Sequence, residues 1–307
     1  MPRITTLTMN PTVDISWEVE DMVPIRKLRS SSGRIFPGGG GINVSRVISI
    51  LGGESTAVLT RGGLTGTLLA ELLDDLDLNR RVVKIKGHTR LAATVFERST
   101  EHEFRVTPPG PEMTEDEWQA FLDTVTRLDG DYVVCTGSLP RGVPNDIYAR
   151  IAAVAKKRGG KVILDTSGRP LFEALNEGVY LVKPNQRELE NLVQRKASSP
   201  KEQEEIAQQI VAEGKAEIVA LTLGAEGAVL AWKDGVKRLL SPRVDVKSAV
   251  GAGDSFVGGL TYGLASGRSL EDAFTLAVAA GAAAVMTAGT ELCRKEDVDR
   301  LYAELRG

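Results

Sequence analysis

A chain of 307 residues, 42% hydrophobic and 26% charged, is long enough to bury one large core or two smaller ones. Its net charge of −3 provides no basic field for nucleic acid, and its most apolar run, Phe274 to Ala288, is too short to cross a bilayer and reads as a buried helix. Cys135, Cys293, His88 and His102 sit at no ligand-like spacing, which argues against a zinc site and leaves two reduced, buried thiols.

The opening run Met1-Pro2-Arg3-Ile4-Thr5-Thr6-Leu7 reads as a strand rather than an export leader, so a cytoplasmic protein is expected. Two stretches, Val13 to Phe36 and His88 to Val106, alternate polar and apolar residues and predict antiparallel strands of a small β appendage, from about 13–36 and 88–106. Between them, Pro37-Gly38-Gly39-Gly40-Gly41-Ile42-Asn43 leads into apolar residues at helical spacing (Ile42, Val44, Val47, Ile48 and Leu51), which predicts a loop running into a helix. From Tyr132 onward, β-rich runs alternate with helical patterns: Tyr132–Thr136, a helix at Asp146–Lys157, Lys161–Asp165, Tyr180–Lys183, a polar helix at 200–213, and Ile218–Thr222. This is the pattern of βαβ units, so the expected fold is α/β, a mostly parallel central sheet with helices on both faces. The run Arg195–Lys201 reads as a surface loop, not a domain boundary. In such a sheet, ligands bind beyond the carboxyl ends of the strands, where Ser138, Asp165, Asn185, Glu188 and Gly224 fall.

The most chemically suggestive run is Gly251-Ala252-Gly253-Asp254, followed by the small-residue pattern Ser255 to Leu260. A glycine turn feeding a helix start presents unpaired N–H groups to an anion, and a carboxylate there can take a proton from an attacking hydroxyl. Taken alone, the same four residues are more often a loop with an Asp cap. The second glycine cluster shifts the balance, because its bare backbone allows close approach and Asn43 offers both a donor and an acceptor to a sugar hydroxyl. Lys27, Arg29, Arg90 and Arg105 lie in the appendage; each reads singly as a solvated cation, and together they suit a phosphate already on the substrate. No Gly-x-x-x-x-Gly-Lys-Ser/Thr loop or Gly-x-Ser-x-Gly elbow is present, and Asn43 and Phe256 interrupt the two potential Gly-x-Gly-x-x-Gly runs.

Pro37–Asn43 and Val250–Asp254 resemble the two signatures of the ribokinase-like PfkB carbohydrate kinases, and Lys183-Pro184-Asn185-Gln186-Arg187-Glu188 is similar to the family's Asn-x-x-Glu element. The opening Leu7–Asp14, Lys27-Leu28-Arg29 and Gly137-Ser138-Leu139-Pro140 resemble its phosphosugar branch, whose members act on fructose 6-phosphate, fructose 1-phosphate or tagatose 6-phosphate. The all-glycine Gly38–Gly41, where the fructose 1-phosphate and tagatose 6-phosphate members usually carry Gly-Gly-Lys-Gly, resembles the minor bacterial 6-phosphofructokinase subgroup. So does Thr290-Glu291-Leu292-Cys293, apart from Glu291, where that subgroup has Arg.

This resemblance implies ATP-dependent phosphoryl transfer to the carbon-1 hydroxyl of fructose 6-phosphate. It makes Asp254 the general base and the backbone of Gly251, Ala252, Gly253 and Asp254 the anion hole. Asp14, Gly38, Gly39 and Asn43 would hold sugar hydroxyls with Ser138 close by, and Lys27, Arg29, Arg90 and Arg105 would meet the existing phosphate. Lys183 and Asn185 would lie near the ATP phosphates, Glu188 would orient hydrated Mg²⁺, and Thr222, Gly224 and Gly227 would line the nucleotide pocket. Many members bind K⁺ through an Asp-Thr pair that is here Ser248-Ala249-Val250; carbonyls of Ser248, Val250, Ala284 and Gly289 are the corresponding candidates. A homodimer through the β appendage, acting as a lid, is the expected assembly, with ATP and a ketose phosphate as the small-molecule partners. The competing readings are a non-catalytic sugar-phosphate or nucleotide sensor, a nucleoside kinase and a nicotinamide-dependent oxidoreductase. Intact Asp254 and Glu188 count against the first, and the cationic appendage against the second.

Overall fold

The computed structural model describes residues 2–289 and 291–307; Met1 of the opening run and Thr290 of the Thr290–Cys293 run lie outside them. The strands are β1 (Ile4–Thr8), β2 (Thr12–Val19), β3 (Ser32–Gly38), β4 (Thr56–Arg61), β5 (Asn79–Lys84), β6 (Arg90–Glu97), β7 (His102–Val106), β8 (Tyr132–Thr136), β9 (Lys161–Asp165), β10 (Val179–Val182), β11 (Ala216–Thr222), β12 (Ala228–Trp232) and β13 (Gly235–Leu239). The helices are α1 (Gly40–Ile50), α2 (Gly63–Asp74), α3 (Glu115–Thr126), α4 (Ile147–Lys157), α5 (Gly168–Glu177), α6 (Gln186–Val193), α7 (Pro200–Ala212), α8 (Ala252–Ala265), α9 (Leu270–Ala284) and α10 (Lys295–Arg306).

Nine strands form the large sheet in the order β13-β12-β11-β10-β9-β8-β1-β4-β5. From β11 through β5 every pairing is parallel, and at one edge β12 runs against the rest, pairing antiparallel with both β11 and β13. The mostly parallel α/β architecture expected from the sequence is present. Both faces are covered, so β8 is buried along its whole length, as an apolar run of this kind requires. Side chains alternate between two cores. Val133 and Cys135 pack with Phe121, Ile147 and Tyr148 on one face, while Tyr132 and Val134 pack with Val44, Val257 and Phe274 on the other.

On that second face α8 is wedged between α1 and α9 by missing side chains. A Cβ on Gly258 would crowd Val47, one on Gly259 would crowd Ala280, and one on Gly263 would crowd Ala273. The small-residue pattern after Asp254 is thus a packing requirement, and it sets where the start of α8 stands. The apolar run near residue 274 is a buried helix, with Ala273 to Ala280 enclosed in α9.

The smaller sheet has the order β3-β2-β6-β7, with β2 and β6 parallel and the other two pairings antiparallel. Its register places Asp14, Ser16, Glu18, Arg34, Glu103 and Arg105 on one face and Ile15, Trp17, Ile35, Phe104 and Val106 on the other. The polar face is the one turned toward the body. Glu103 accepts from the Ser248 hydroxyl at 2.9 Å, Arg34 pairs with Glu291, and Gly289 packs against Ser16. A cleft of about 380 Å³ lies between, lined in part by Ser16, Glu18, Arg34, Glu103 and Lys247. The apolar face is left open, with Ile35 47%, Phe104 42% and Val106 66% exposed.

Candidate active site

The site forms where the two glycine corners meet. Asn43, at the start of α1, donates from Nδ2 to Oδ2 of Asp254 at 2.8 Å, joining positions 211 residues apart. Each corner is built by its own backbone. Gly39, the residue preceding α1, has φ 118°, and Gly251, preceding α8, has φ 77°, both values that side-chain-bearing residues rarely adopt. The start of α1 is tied to the end of β1 by the Ile42 N–H, which donates to the Thr8 hydroxyl at 2.9 Å. A Cβ at Gly38 would overlap the Asp14 carboxylate, and one at Gly40 would overlap the Thr136 hydroxyl, so the glycine run leaves room for those side chains.

Asp254 lies in the first turn of α8 with unpaired backbone N–H groups around it. Burial raises its carboxyl pKa to about 7; Asp165 and Asp14 reinforce the rise, while the Asn43 hydrogen bond and Lys183 oppose it. Lys183 is 5% exposed, directly follows β10 and pairs with Asp165 at 3.0 Å. Its ammonium would stand 3.8 Å from a Cβ on Gly253, so a cation flanks the proposed anion hole. Coulombic attraction and the Asp165 hydrogen bond raise its pKa despite the burial that opposes them, keeping it charged.

Asp14 is likewise pushed upward by burial, partly offset by its hydrogen bond with Thr12 and by Arg105, Arg90 and Arg46. Arg90 donates to the carbonyls of Asn10 (2.9 Å) and Pro108 (3.1 Å), which aims its guanidinium, and its buried Nε has no hydrogen-bond partner among the described residues. Asn10 donates to the Ser138 hydroxyl at 3.1 Å, bringing Ser138 to the same corner. Arg105 is exposed at the rim, near enough to Asp14 to influence it. Lys27 and Arg29 lie on an exposed loop between β2 and β3, and among the described residues no hydrogen bond or ion pair ties them to the site.

On the nucleotide side, Asn185 and Glu188 form a reciprocal cap at the start of α6: the Asn185 side chain accepts from the Glu188 N–H and Glu188 accepts from the Asn185 N–H, both at 2.9 Å. A helix start alone explains that spacing. Burial nevertheless raises the Glu188 pKa beside Asp165 and Lys183, so Glu188 shares the acidic pocket. Thr222 adjoins Asn185 in an isolated bridge, and its N–H donates to the Pro184 carbonyl at 3.0 Å. Gly224 opens a 3₁₀ turn, while a Cβ on Gly227 would strike the Leu239 carbonyl, a packing reason for that glycine.

Of the candidate K⁺ ligands, the Ala284 carbonyl accepts from both the N–H (3.2 Å) and the hydroxyl (2.8 Å) of Thr287, so its two lone pairs are engaged. The Ser248 hydroxyl accepts from the Val250 N–H at 3.2 Å, and Gly289 packs against Ser16.

Residues 8–297 match the model for the pfkB family carbohydrate kinases. The chain belongs to this family. Among pfkB relatives, the ATP-dependent 6-phosphofructokinase isozyme 2 of Mycobacterium tuberculosis is 41% identical over 303 residues, 98% of this chain and 89% of the relative. The 1-phosphofructokinase of Bacillus subtilis is 34% identical over 304 residues, covering 99% and 98%. The crystal structure of Escherichia coli phosphofructokinase-2 in complex with potassium superposes with a TM-score of 0.96 at 39% identity, covering both chains completely. Another structure of that enzyme is a tetrameric inhibited form.

Three participants carry no role in the motif reading: Asn10, Asp165 and Arg46. Asp165 stands at a strand end, the position where a ligand-facing carboxylate is expected. Asn10 and Arg46 carry no such signal, since a polar residue in a turn and a cation on a helix are ordinarily solvated.

Proposed function

We propose that this pfkB kinase transfers the γ-phosphoryl group of ATP to the carbon-1 hydroxyl of fructose 6-phosphate, giving fructose 1,6-bisphosphate. The observation that carries the reading is the Asn43–Asp254 hydrogen bond, which joins the two glycine corners at one carboxylate. Asp254 takes the hydroxyl proton as the oxygen attacks phosphorus, and the N–H groups of Gly251, Ala252, Gly253 and Asp254 stabilise the charge that develops. A base whose pKa lies near 7 is well matched to that transfer at neutral pH. Asp14, Asn43 and the backbone of Gly38 and Gly39 orient the sugar hydroxyls, while Arg90, Arg105 and Ser138, with Lys27 and Arg29 on the loop between β2 and β3, serve the existing phosphate.

Lys183, Asn185, Thr222, Gly224 and Gly227 take the nucleotide. Asp165, Glu188 and Asp254 lie within Coulombic reach of Lys183. Glu188 would hold Mg²⁺ through its water shell; when bound, the ion supplies charge neutralisation at the ATP phosphates. Carbonyls of Ser248, Val250 and Gly289 are the remaining candidates for K⁺. The smaller sheet serves as a lid on a single kinase domain, and its open apolar face supports a homodimer. No helix among the described residues is long and apolar enough to cross a membrane, and the proposed setting is the cytoplasm.

The alternative substrates are fructose 1-phosphate and tagatose 6-phosphate, whose kinases usually carry Lys where this chain has Gly40. Thr136 stands where a side chain at position 40 would begin, so Gly40 also has a packing reason. A panel of fructose 6-phosphate, tagatose 6-phosphate, fructose 1-phosphate and unphosphorylated fructose, with ATP and Mg²⁺, tests this. The highest kcat/KM is expected for fructose 6-phosphate, and preference for unphosphorylated fructose would overturn the assignment.

A further inference from the structure

We propose that Arg46 is a positioning residue for the transfer step, acting through the Asn43 amide to keep the carboxylate of Asp254 in its proton-accepting form; this rests on the catalytic role proposed for Asp254. Asn43 and Arg46 stand three residues apart on α1, on the same face. One guanidinium nitrogen of Arg46 donates to Oδ1 of Asn43 at 3.2 Å and, more weakly, to the Pro37 carbonyl at 3.4 Å.

A carboxamide has an acceptor end and a donor end, and a guanidinium has donors only. With Arg46 on the oxygen, the end left facing Asp254 is Nδ2, which donates at 2.8 Å. Were the amide turned over, its oxygen would face a carboxylate oxygen, and only a protonated Asp254 could supply the missing donor. The orientation of the amide and the protonation of the base are therefore coupled, and Arg46 selects the orientation that goes with the free base. Its own charge adds to this, since Arg46 lies within Coulombic reach of Asp254, Asp14, Glu291 and Cys293. The charged groups acting on Asp254 from neighbouring elements are Asp165 at the end of β9, Lys183 after β10, Asp14 on β2 and Arg46 on α1. Among these, Arg46 alone holds the amide.

The test is the pH dependence of kcat/KM for fructose 6-phosphate in wild type, Arg46→Met, Arg46→Lys, Asn43→Ala and the Arg46→Met/Asn43→Ala double variant. Losing a hydrogen bond to the charged carboxylate moves the acid limb up by about one pH unit in Arg46→Met. At pH 7 this lowers kcat/KM by about fivefold, approaching tenfold below about pH 6 and recovered by pH 9, while the KM for ATP is unchanged. Asn43→Ala shifts the limb similarly, the double variant shifts it no further than either single change, and Arg46→Lys, which keeps a donor, falls in between. A loss of equal size at every pH, or shifts that add in the double variant, would overturn the proposal. Independently of any substrate, the ¹³C titration of the Asp254 carboxyl, assigned by comparison with Asp254→Asn, should show a higher midpoint in Arg46→Met. An unmoved midpoint sinks the positioning role even in an enzyme that turns over fructose 6-phosphate, whereas a moved midpoint in a protein inert toward that sugar sinks only the substrate assignment.

Discussion

Asp254 concentrates the chemistry because it is a carboxylate enclosed beside two others, Asp165 and Asp14, with one amide and one ammonium opposing them. If it is the base, log(kcat/KM) for the sugar phosphate should fall with unit slope below about pH 7, following its raised pKa. A profile flat down to pH 5.5 would remove either the role or the enclosure. The same shift has a stability consequence. Between its ordinary value of 3.8 and about 7, the folded protein holds more protons on this group than the unfolded chain does, so stability falls as pH rises through that window. The deficit is complete above about pH 7. Asp254→Asn removes it, so its Tm should exceed that of wild type by several degrees at pH 8 and match it near pH 4, as differential scanning calorimetry can show.

At the scale of elements, the glycine loop and α1 act as one part. The loop lets β2 lie against the helix start, with the Asp14 carboxylate occupying the space a side chain at Gly38 would need. Gly38→Ala should displace Asp14 and lower kcat/KM for fructose 6-phosphate by about 100-fold while the KM for ATP stays within about twofold, because a displacement near 1 Å at a reacting site has that order of cost. Steady-state kinetics with each substrate varied checks this, and equal rises in both KM values would mean a general disturbance instead. Much of this organisation was readable beforehand. The helix at residue 40 announced itself through Ile42, Val44, Val47 and Ile48, all buried, and the parallel strands through apolar runs covered on both faces. The Asn185–Glu188 spacing was readable too, yet it has two meanings, since the same four residues cap α6. Arg46 and Asn10 were not readable: Asn43 lies one turn from Arg46 on α1, but the Asp254 carboxylate that gives this pair its meaning, and the Asn10 partners Ser138 and Arg90, are brought in only by tertiary folding.

For the whole molecule, the smaller sheet is turned inside out relative to an ordinary half-buried sheet, with its polar face toward the body and its apolar face toward solvent. A second copy meeting that face would resolve the mismatch. Light scattering should give twice the 32.9 kDa chain mass, and Val106→Glu combined with Phe104→Glu should give monomers. A monomer mass for the unaltered chain at working concentration would refute this assembly. Such an interface would also bear on Lys27 and Arg29, whose exposed loop joins β2 to β3.

Two glycine corners far apart in the chain meet at the Asp254 carboxylate. The most direct measurement compares the rate of fructose 1,6-bisphosphate formation from fructose 6-phosphate and MgATP by wild type and by Asp254→Asn, with calorimetric binding of each substrate as the control. The prediction is retained binding and a kcat lower by about 10²–10⁴; a variant that binds both substrates and turns over within about tenfold of wild type would contradict it.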